Sequence, residues 1–222
     1  MLVCVAHPDD EVLGAGGAIA KHVESGDNVK LILMTDGVSA RNLDDFHSGD
    51  SIKVRSRELI ESCRLLGIQD YLCLDFPDNR MDSVPLLDVV RKLESIIKEF
   101  RPSLIYTNFI NDLNVDHART AEAVRVASRP VPGCSIKSIL MMEVASSTEW
   151  TFSKEEVFIP NVFIDIGEHL KKKLGALECY GSELIDPPHP RNVNLTRSRA
   201  VIRGSQVGFA AAEAFVLLRE LR

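Results

Sequence analysis

The chain has 222 residues and a formal net charge of −6, with 26 basic and 32 acidic side chains. This length suits one globular domain with a sizeable core, so we expect residues 1–222 to form a single domain. A nucleic-acid-binding surface needs a basic face, and the acidic balance argues against one. No apolar run reaches the roughly 18 residues of a membrane span, and the first residues lack the pattern of a signal peptide.

The five cysteines are an odd number and show no C-x-x-C spacing. Several of them lie in apolar periodic segments, which is typical of small core residues. Reduced thiols and a cytoplasmic location therefore fit the sequence best, and a zinc site built from cysteines is not expected.

In the first half of the chain, short β-rich runs alternate with longer helical ones, which is typical of a mostly parallel sheet with crossover helices. The first strand is predicted at residues 2–5. The helix after it contains the small residues 14–17 (Gly-Ala-Gly-Gly), which permit a close backbone approach. The next elements are predicted as a strand at 29–34, a long polar loop over the site at 39–52, a helix at 52–66, a strand at 71–76 and a helix at 86–100.

The second half continues the alternation with a strand at 103–107, a helix at 117–128, strands at 138–144 and 162–166, and a helix at 168–180. We interpret the three lysines at 171–173 as a solvated helix face. A proline-rich turn at 187–191 leads to a final helix that begins near Thr196 and is interrupted near Gly204 and Gly208. The elements together predict an α/β fold with helices on both faces of the sheet.

The segment Ala-His-Pro-Asp-Asp-Glu at residues 6–11 brings one imidazole and two carboxylates within four positions, at the turn between the first strand and the first helix. Pro8 suits the first turn of a helix. Asp9 and Asp10 would lie near the unpaired amides of that turn, which favour ionised carboxylates. A helix cap is the purely structural alternative. A cap needs only one Asp, however, so His7 with two Asp residues favours a metal site.

A second segment, Asp116-His117, follows the fourth predicted strand and opens a helix. Open parallel sheets bind ligands at the carboxyl ends of their strands, so we expect both segments to meet at that edge. Two imidazoles and one carboxylate form a three-ligand set for Zn²⁺ with water in the fourth position, and we assign His7, Asp10 and His117 as the ligands. Asp9 is then left facing the open position as a base, and Asp116 is placed to orient a neighbour.

This constellation predicts hydrolysis of an amide or ester. A metal here would lower the pKa of bound water to about 7 and polarise a carbonyl. Asp9 would take a proton from the water and return it to the leaving amine. The same ligand types form the facial triad of non-haem Fe(II) oxygenases. Those enzymes carry H-x-D on a strand of a double-sheet barrel, whereas this chain has H-x-x-D across a strand-to-helix turn.

Further segments accompany the two motifs: Thr35-Asp36-Gly37, Arg55 with Glu58, Leu66-Gly67, Phe76-Pro77-Asp78, His189-Pro190-Arg191, the stretch 203–208 and the stretch 212–215. Taken together, the chain resembles the PIG-L/LmbE-like zinc deacetylases, which remove N-acetyl groups from amino sugars. The resemblance spans nearly the whole chain. It implies a Rossmann-like fold, zinc on His7, Asp10 and His117, and Asp9 as general base and then general acid.

The chain departs from that family at Asn114. Family members often carry a second His three positions before the metal His, where it helps to stabilise the oxyanion, and this chain has Asn114 there. An amide donates a hydrogen bond to an oxyanion but carries no proton. We therefore expect Asp9 to perform all of the proton transfer and Asn114 to contribute a hydrogen bond.

Five further side chains are candidates for substrate contacts: Arg55, Asp36, Asp78, His189 and Arg191. Arg55 can reach a phosphate or sugar hydroxyl, or it can pair with Glu58 at i,i+3. Asp36 and Asp78 lie at strand ends on the expected active edge. The turn with His189 and Arg191 either closes over the pocket or is a plain surface turn.

The sequence thus predicts a zinc-dependent N-deacetylase, with Fe²⁺ or Co²⁺ as substitutes on the same ligands. The expected partner is a small N-acetylated amino sugar or a sugar nucleotide, and self-association into a homo-oligomer stays open. Two alternatives are a hydrolase of a non-sugar amide and a non-catalytic module that binds a sugar or nucleotide. An intact Asp9 beside three ligands argues against the module, because binding alone needs no base.

Overall fold

The computed structural model describes residues 1–40 and 48–222, and seven strands and six α-helices lie within them. In chain order they are β1 (Leu2–Val5), α1 (Asp10–Glu24), β2 (Lys30–Leu33), α2 (Ser48–Leu66), β3 (Asp70–Cys73), α3 (Leu86–Phe100), β4 (Leu104–Asn108), α4 (Val115–Ala127), β5 (Ser138–Met142), β6 (Val162–Asp165), α5 (Leu170–Glu178), α6 (Val193–Ser205) and β7 (Ala212–Glu220). Half of the polar loop predicted at 39–52, residues 41–47, lies outside the described residues, and residues 48–52 belong to α2 instead of a loop. Among those residues, no helix is both long enough and apolar enough to cross a membrane.

All seven strands form one sheet in the order β3-β2-β1-β4-β5-β7-β6. The strands β3, β2, β1, β4 and β5 run parallel to one another, and β7 is antiparallel to both β5 and β6. The predicted α/β fold with a mostly parallel sheet is therefore confirmed.

The apolar character of β1 follows from its central position in the sheet. Val3 and Val5 face a core formed with α1, α2 and α5, whereas Leu2 and Cys4 face a second core formed with α3 and α4. A strand covered by helices on both faces is apolar throughout instead of alternating. Helices on both faces of the sheet were predicted from the sequence.

The C-terminal region differs from the prediction. The helix predicted from near Thr196 corresponds to α6, which ends at Ser205, and the chain then turns at Gly208 and forms β7. The sequence of β7, Ala-Glu-Ala-Phe-Val-Leu-Leu-Arg-Glu, contains many good helix formers. Pairing with β5 and β6 buries Phe215 completely, and these tertiary contacts override local propensity.

The interpretation of lysines 171–173 as a solvated face is wrong for Lys173, which is buried. Its Nζ donates to Glu213 Oε1 (2.6 Å) and to the Leu13 carbonyl oxygen (2.8 Å). The Glu213 carboxylate also accepts from the amides of Gly17 (2.8 Å) and Ala18 (2.7 Å) in the middle of α1. Because α5 packs against α1, Lys173 reaches the Leu13 carbonyl oxygen, a main-chain group that needs a hydrogen-bond partner.

The glycines of α1 allow the close approach that their spacing predicts. A β-carbon at Gly14 would lie 2.4 Å from Met142 Sδ, and one at Gly17 would lie 2.7 Å from Ile166 Cβ. Glycine therefore lets α1 lie directly against β5 and the end of β6, which fixes the position of the helix that begins at Asp10.

Candidate metal centre

The two sequence motifs meet where the strand order reverses. The chain continues from β1 to β2 on one side of the sheet and from β4 to β5 on the other, so a crevice lies between the carboxyl ends of β1 and β4. His7 lies just after β1, Asp10 is the first residue of α1, and His117 lies in the first turn of α4. Each side chain is thus positioned by the end of a regular element.

Three potential ligand atoms face one another in this crevice. His7 Nδ1 lies 3.1 Å from His117 Nε2, and Asp10 Oδ2 lies 3.3 Å from His117 Nε2 and 3.6 Å from His7 Nδ1. All three residues are buried. Ligand atoms bound at about 2.0 Å to a tetrahedral ion lie about 3.3 Å apart, so the spacing matches a zinc-type site.

A carboxylate lies beside the other ring nitrogen of each histidine. Asp116 Oδ2 lies 3.2 Å from His7 Nε2, and Asp112 Oδ1 lies 3.2 Å from His117 Nδ1. These partners place the ring proton on His7 Nε2 and on His117 Nδ1, a tautomer assigned from the contacts. The lone pairs of His7 Nδ1 and His117 Nε2 then point at each other and at the carboxylate of Asp10. Such a donor set fits a cation at its centre.

The electrostatics of the cluster favour positive charge. Burial alone would lower the pKa of His117, but the carboxylates of Asp10 and Asp112 raise it to about 9. Burial alone would raise the pKa of Asp10, but His117 and His7 hold it well below its usual range. The field that favours protons on the imidazoles also favours a divalent cation.

Two residues that support the ligands were not singled out from the sequence. Asn108, the last residue of β4, donates from Nδ2 to Asp10 Oδ2 (3.1 Å) and accepts from the Ala6 amide (3.0 Å). Asp112 accepts from the hydroxyls of Ser147 and Thr148 and faces His117. A polar residue at the end of a buried strand beside β1 was the available signal for Asn108. The contacts of Asp112 with Ser147 and Thr148 are too distant along the chain to give one.

Asp9 has an unusual backbone and a free carboxylate oxygen. It precedes α1 with φ 113° and ψ −27°, in the left-handed region that few non-glycine residues adopt. Its Oδ2 is buried, and no hydrogen-bond donor reaches it from the described part of the chain. Burial raises the pKa of Asp9, and the value stays raised although the guanidinium groups of Arg191 and Arg55 act to lower it.

A cavity of about 60 Å³ opens above the three ligand atoms. It is lined by His7, Asp9, Asp10, Gly37, Arg55, Asn79, Asn114, His117, Ser146, Ser147, Glu183 and Arg191. This space is large enough to hold water or a small group. The lining is almost entirely polar or charged, which is typical of a site for a polar ligand.

Asn114 and Asp116 lie beside this cavity in structural roles. Asn114 caps α4, because its Oδ1 accepts from the Asp116 amide (2.9 Å), and its Nδ2 donates to Asn79 Oδ1 (3.2 Å). Asp116 accepts from the amides of Asn79 (2.6 Å) and Met81 (3.0 Å) while it faces His7. The structure therefore places Asp116 next to a neighbour that it can orient, as expected.

The two candidate arginines both reach the cavity, and both contact Glu183. Arg55 is buried and donates to the Pro8 carbonyl oxygen (2.8 Å) and to Glu183. Arg191 donates to Glu183 and to Ser146 Oγ (3.2 Å), and its Nη1 lies 3.5 Å from Asp9 Oδ2. Their substrate contacts stay predictions, and Glu183 is a further residue that sequence reasoning missed.

The other three candidates make contacts within the protein and are not among the described residues that line the cavity. Asp36 accepts from the amides of the two residues at 38 and 39 in its own turn. Asp78 accepts from the Ala40 amide (2.9 Å) and lies 3.4 Å from His7 Nε2. His189 packs edge-on against Trp150, with 5.8 Å between the ring centres. Their substrate-binding roles remain untested predictions.

The fold and the site define a class: α/β proteins with a candidate two-histidine, one-carboxylate metal centre at the switch point of the sheet. Comparison with known families makes the assignment specific. The chain belongs to the PIG-L family, whose profile, described as GlcNAc-PI de-N-acetylase, matches residues 2–128. All three candidate ligands and Asp9 lie within the matched residues.

Known proteins of the same fold carry different activities. A Bacillus cereus protein named "Probable N-acetyl-alpha-D-glucosaminyl L-malate deacetylase 2" is 28% identical over 198 residues, which cover 87% of this chain and 89% of the relative. The structure of N,N'-diacetylchitobiose deacetylase from Pyrococcus horikoshii has a TM-score of 0.77 and 24% identity, and covers 98% of this chain and 83% of that one. The 4-carboxy-2-hydroxymuconate hydratase of Pseudomonas putida has a TM-score of 0.81 and 20% identity, and covers 100% and 96%. The reaction therefore has to be argued from the site.

Proposed function

We propose that this chain is a metal-dependent N-deacetylase of an N-acetylated amino sugar or amino-sugar conjugate, and that residues 1–222 act as one domain. The observation that carries the proposal is Asp9, which lines the same cavity as the three ligand residues and whose buried Oδ2 accepts no hydrogen bond from the described residues. All strands from β1 to β7 belong to one sheet, which supports a single domain. The deacetylase named among the relatives supports the reaction class.

His7, Asp10 and His117 would hold the metal, with Zn²⁺ as first choice and Fe²⁺ or Co²⁺ as substitutes. When bound, the metal supplies two things: it lowers the pKa of bound water to about 7, and it polarises the acyl carbonyl. The chain itself supplies the fixed orientation of the ligands through Asp116, Asp112 and the end of β4. A metal site with such supporting contacts keeps its geometry during a reaction.

Asp9 would transfer the proton. A water molecule attacks the acyl carbon while Asp9 Oδ2 accepts one of its protons, and a new C–O bond forms. The C–N bond then breaks as Asp9 returns this proton to the leaving nitrogen, which gives acetate and a free amine. A raised pKa suits a carboxylate that must both take and return a proton, and burial provides it. Arg191 Nη1, 3.5 Å from Oδ2, keeps the ionised form accessible.

Asn114 would donate a hydrogen bond to the oxyanion of the tetrahedral intermediate, as the sequence predicts. Its Nδ2 donates to Asn79 Oδ1, so it would have to exchange this partner for the substrate. Asn114 lines the cavity, which gives its amide access to a bound substrate.

The cavity has room for an acetyl group. Its volume above the ligands is about 60 Å³. The polar lining suits the hydroxyls of a sugar, for which Arg55, Asp36, Asp78, His189 and Arg191 remain the proposed contacts. A sugar nucleotide is proposed alongside a simpler sugar conjugate. The cytoplasmic location stays a prediction from cysteine usage.

Acetate release tests this proposal. Zinc-loaded protein is incubated with a panel of N-acetylated sugars, sugar conjugates and sugar nucleotides, with N-acetylated amines that are not sugars as a second panel. We expect release from a member of the first panel, and no release by the Asp9→Asn variant although it keeps its zinc. Release only from the second panel would favour the non-sugar amide hydrolase. Stoichiometric zinc without any release would favour the binding module.

A further inference from the structure

Asp9 needs help to keep its conformation. Its positive φ is unfavourable for a residue with a β-carbon, and such a backbone persists only when the surroundings hold it. The conformation matters, because it sets the direction of the carboxylate of a residue that lines the cavity. The contacts that the main chain makes on either side of Asp9 are therefore informative.

A buried pair of side chains holds the amide of Asp9. The Asp9 N–H donates to Glu11 Oε2 (3.0 Å), and the Tyr180 hydroxyl donates to Glu11 Oε1 (2.6 Å). Glu11 and Tyr180 are both fully buried, with no exposed surface. Neither is among the candidate ligands or the described residues that line the cavity.

The cost of burying this carboxyl group suggests a specific role. Burying an acidic group is unfavourable unless it is paired, and the contacts that Glu11 makes with the described residues are hydrogen bonds, not ion pairs. An apolar side chain would fill the same space without this cost. An apolar side chain cannot accept a hydrogen bond from the Asp9 N–H, which would then be buried without a partner.

Arg55 connects this pair to the preceding peptide. Its guanidinium lies 5.8 Å from the ring centre of Tyr180 and donates to the Pro8 carbonyl oxygen (2.8 Å). The Pro8–Asp9 peptide group is thus held at both of its polar atoms: Arg55 of α2 donates to its oxygen, and its N–H donates to Glu11 of α1, which Tyr180 after α5 supports. Asp9 itself contributes none of these contacts through its carboxylate, which stays free for chemistry.

We propose that Glu11 and Tyr180 are positioning residues, which hold the backbone of Asp9 in the left-handed conformation that aims its Oδ2 into the cavity. This proposal rests on the proposed function for its effect on turnover, but not for its effect on the Asp9 backbone. When the pair is broken, Asp9 relaxes to a negative φ and its carboxylate turns away from the substrate. The ligands His7, Asp10 and His117 keep their own partners.

The test compares Glu11→Ala, Glu11→Gln and Tyr180→Phe with wild type. A misplacement of about 1 Å costs about 100-fold in rate, so we expect kcat to fall about 100-fold in Glu11→Ala. We expect a fall of about 10-fold in Tyr180→Phe. Glu11→Gln should recover most of the loss, because its amide oxygen still accepts from Asp9. KM and the Zn²⁺ affinity measured by chelator competition should stay within about twofold.

Tyr106→Phe is the matched control. Tyr106 is equally buried in the same core, and its hydroxyl contacts His22 Nε2 (3.0 Å) instead of the strained turn. It should lose thermal stability about as much as Tyr180→Phe does and keep its kcat. An equal fall in kcat for both variants would overturn the proposal.

A second measurement is independent of the substrate. Amide hydrogen exchange of ¹⁵N-aspartate-labelled protein reports directly on the Asp9 N–H, and we expect its protection to fall at least tenfold in Glu11→Ala and Tyr180→Phe. Unchanged protection in Tyr180→Phe, or a Zn²⁺ affinity that falls as much as kcat, would overturn the proposal. If wild type releases no acetate while the Asp9 protection falls as expected, the proposed function fails and the positioning role stands.

Discussion

The floor and the wall of the cavity are built in different ways. The floor consists of His7, Asp10 and His117, and each of these has a second partner from a neighbouring element. The wall consists of Asp9 and the lining residues around it, namely Arg55, Ser146, Ser147, Glu183 and Arg191. Its central atom, Asp9 Oδ2, has no hydrogen-bond donor among the described residues. Fixed ligands in the floor suit a bound cation. A carboxylate oxygen that accepts no hydrogen bond suits a group that takes up and releases a proton.

The two parts also come from different regions of the chain. The floor lies entirely within residues 2–128, which match the family profile. Much of the wall comes from residues that follow the match, namely Ser146, Ser147, Glu183 and Arg191. Because the floor holds the candidate ligands and the wall holds the carboxylate of Asp9, we expect changes in the floor to alter metal binding. Changes in the wall should alter turnover while the metal is retained. The predictions below test this separation.

The largest effect is expected at the floor. His117→Ala removes one of three ligands, and we expect loss of stoichiometric zinc and a fall in activity of more than about 1000-fold. Metal content after dialysis and acetate release measure the two effects. His22→Ala, a histidine on α1 that pairs with Asp27, is the control and should keep both. Full zinc content in His117→Ala would show that the ligand set is wrong.

Asp112→Asn tests the support beneath the floor. The variant weakens the charged acceptor at His117 Nδ1, and loss of such a partner lowers metal affinity by about 10- to 100-fold. Chelator competition gives the affinity. Ser147→Ala removes another contact of Asp112 and leaves its contact with His117, so its zinc affinity should stay near that of wild type. Equal zinc affinities in Asp112→Asn and wild type would show that Asp112 does not support the floor.

Arg191→Met should affect the wall alone. It removes the ion pair with Asp9 Oδ2 and the contact with Glu183, and we expect kcat to fall about 10-fold with zinc content unchanged. The control is Arg129→Met, which removes an exposed ion pair with Glu94 far from the cavity. The separation of floor and wall would be broken if Arg191→Met lost zinc.

Asn114→Ala and Asn114→Ser separate capping from catalysis. Ser keeps a capping oxygen for α4, and loss of the cap costs about 1 kcal/mol, so only the Ala variant should unfold more easily. Both variants lose the amide donor, and we expect both to lower kcat by up to about 10-fold at constant zinc content. Thermal melts and acetate release measure the two effects. Unchanged kcat in both variants would exclude an oxyanion role for Asn114.

The smallest effect concerns stability away from the cavity. Burial would raise the pKa of Glu143, but the guanidinium groups of Arg203 and Arg199 hold it below its usual value. A folded-state pKa below the unfolded one gives stability that is present above about pH 4.3 and is lost as the pH falls through the folded-state pKa. Glu143→Gln should therefore lower the free energy of unfolding by about 1.5–3 kcal/mol at pH 7.

Urea denaturation at pH 7 and at successively lower pH checks this expectation. The difference between Glu143→Gln and wild type should shrink as the pH falls below about 4. A constant difference across this range would mean that the carboxylate of Glu143 is not what the two arginines stabilise. Zinc content should be the same in both proteins throughout, because Glu143 contacts neither floor nor wall.

The sequence predicts the parts of this structure that depend on local patterns. Helix α3 spans the predicted 86–100, and the sequence predicts that the candidate ligands meet because His7 and Asp10 lie on a single turn and His117 opens a helix, as the structure shows for their positions. The errors arise where distant contacts decide. Strand β7 has helix-forming residues, yet it pairs with β5 and β6. Asp112 and Glu183 also have partners dozens of residues away, Ser147 and Arg55, and spacing along the chain carries no trace of these contacts.

The contact between Glu213 and the middle of α1 has a consequence for synthesis of the protein. The amides of Gly17 and Ala18 are made 195 or more residues before the carboxylate that accepts from them, which belongs to β7. At about 5–20 residues per second, many seconds separate the two. The helix that begins with Asp10 therefore reaches its final hydrogen bonding only after β7 has left the ribosome. Until then, a nascent chain would carry the candidate metal-ligand motif without the finished scaffold that orders it.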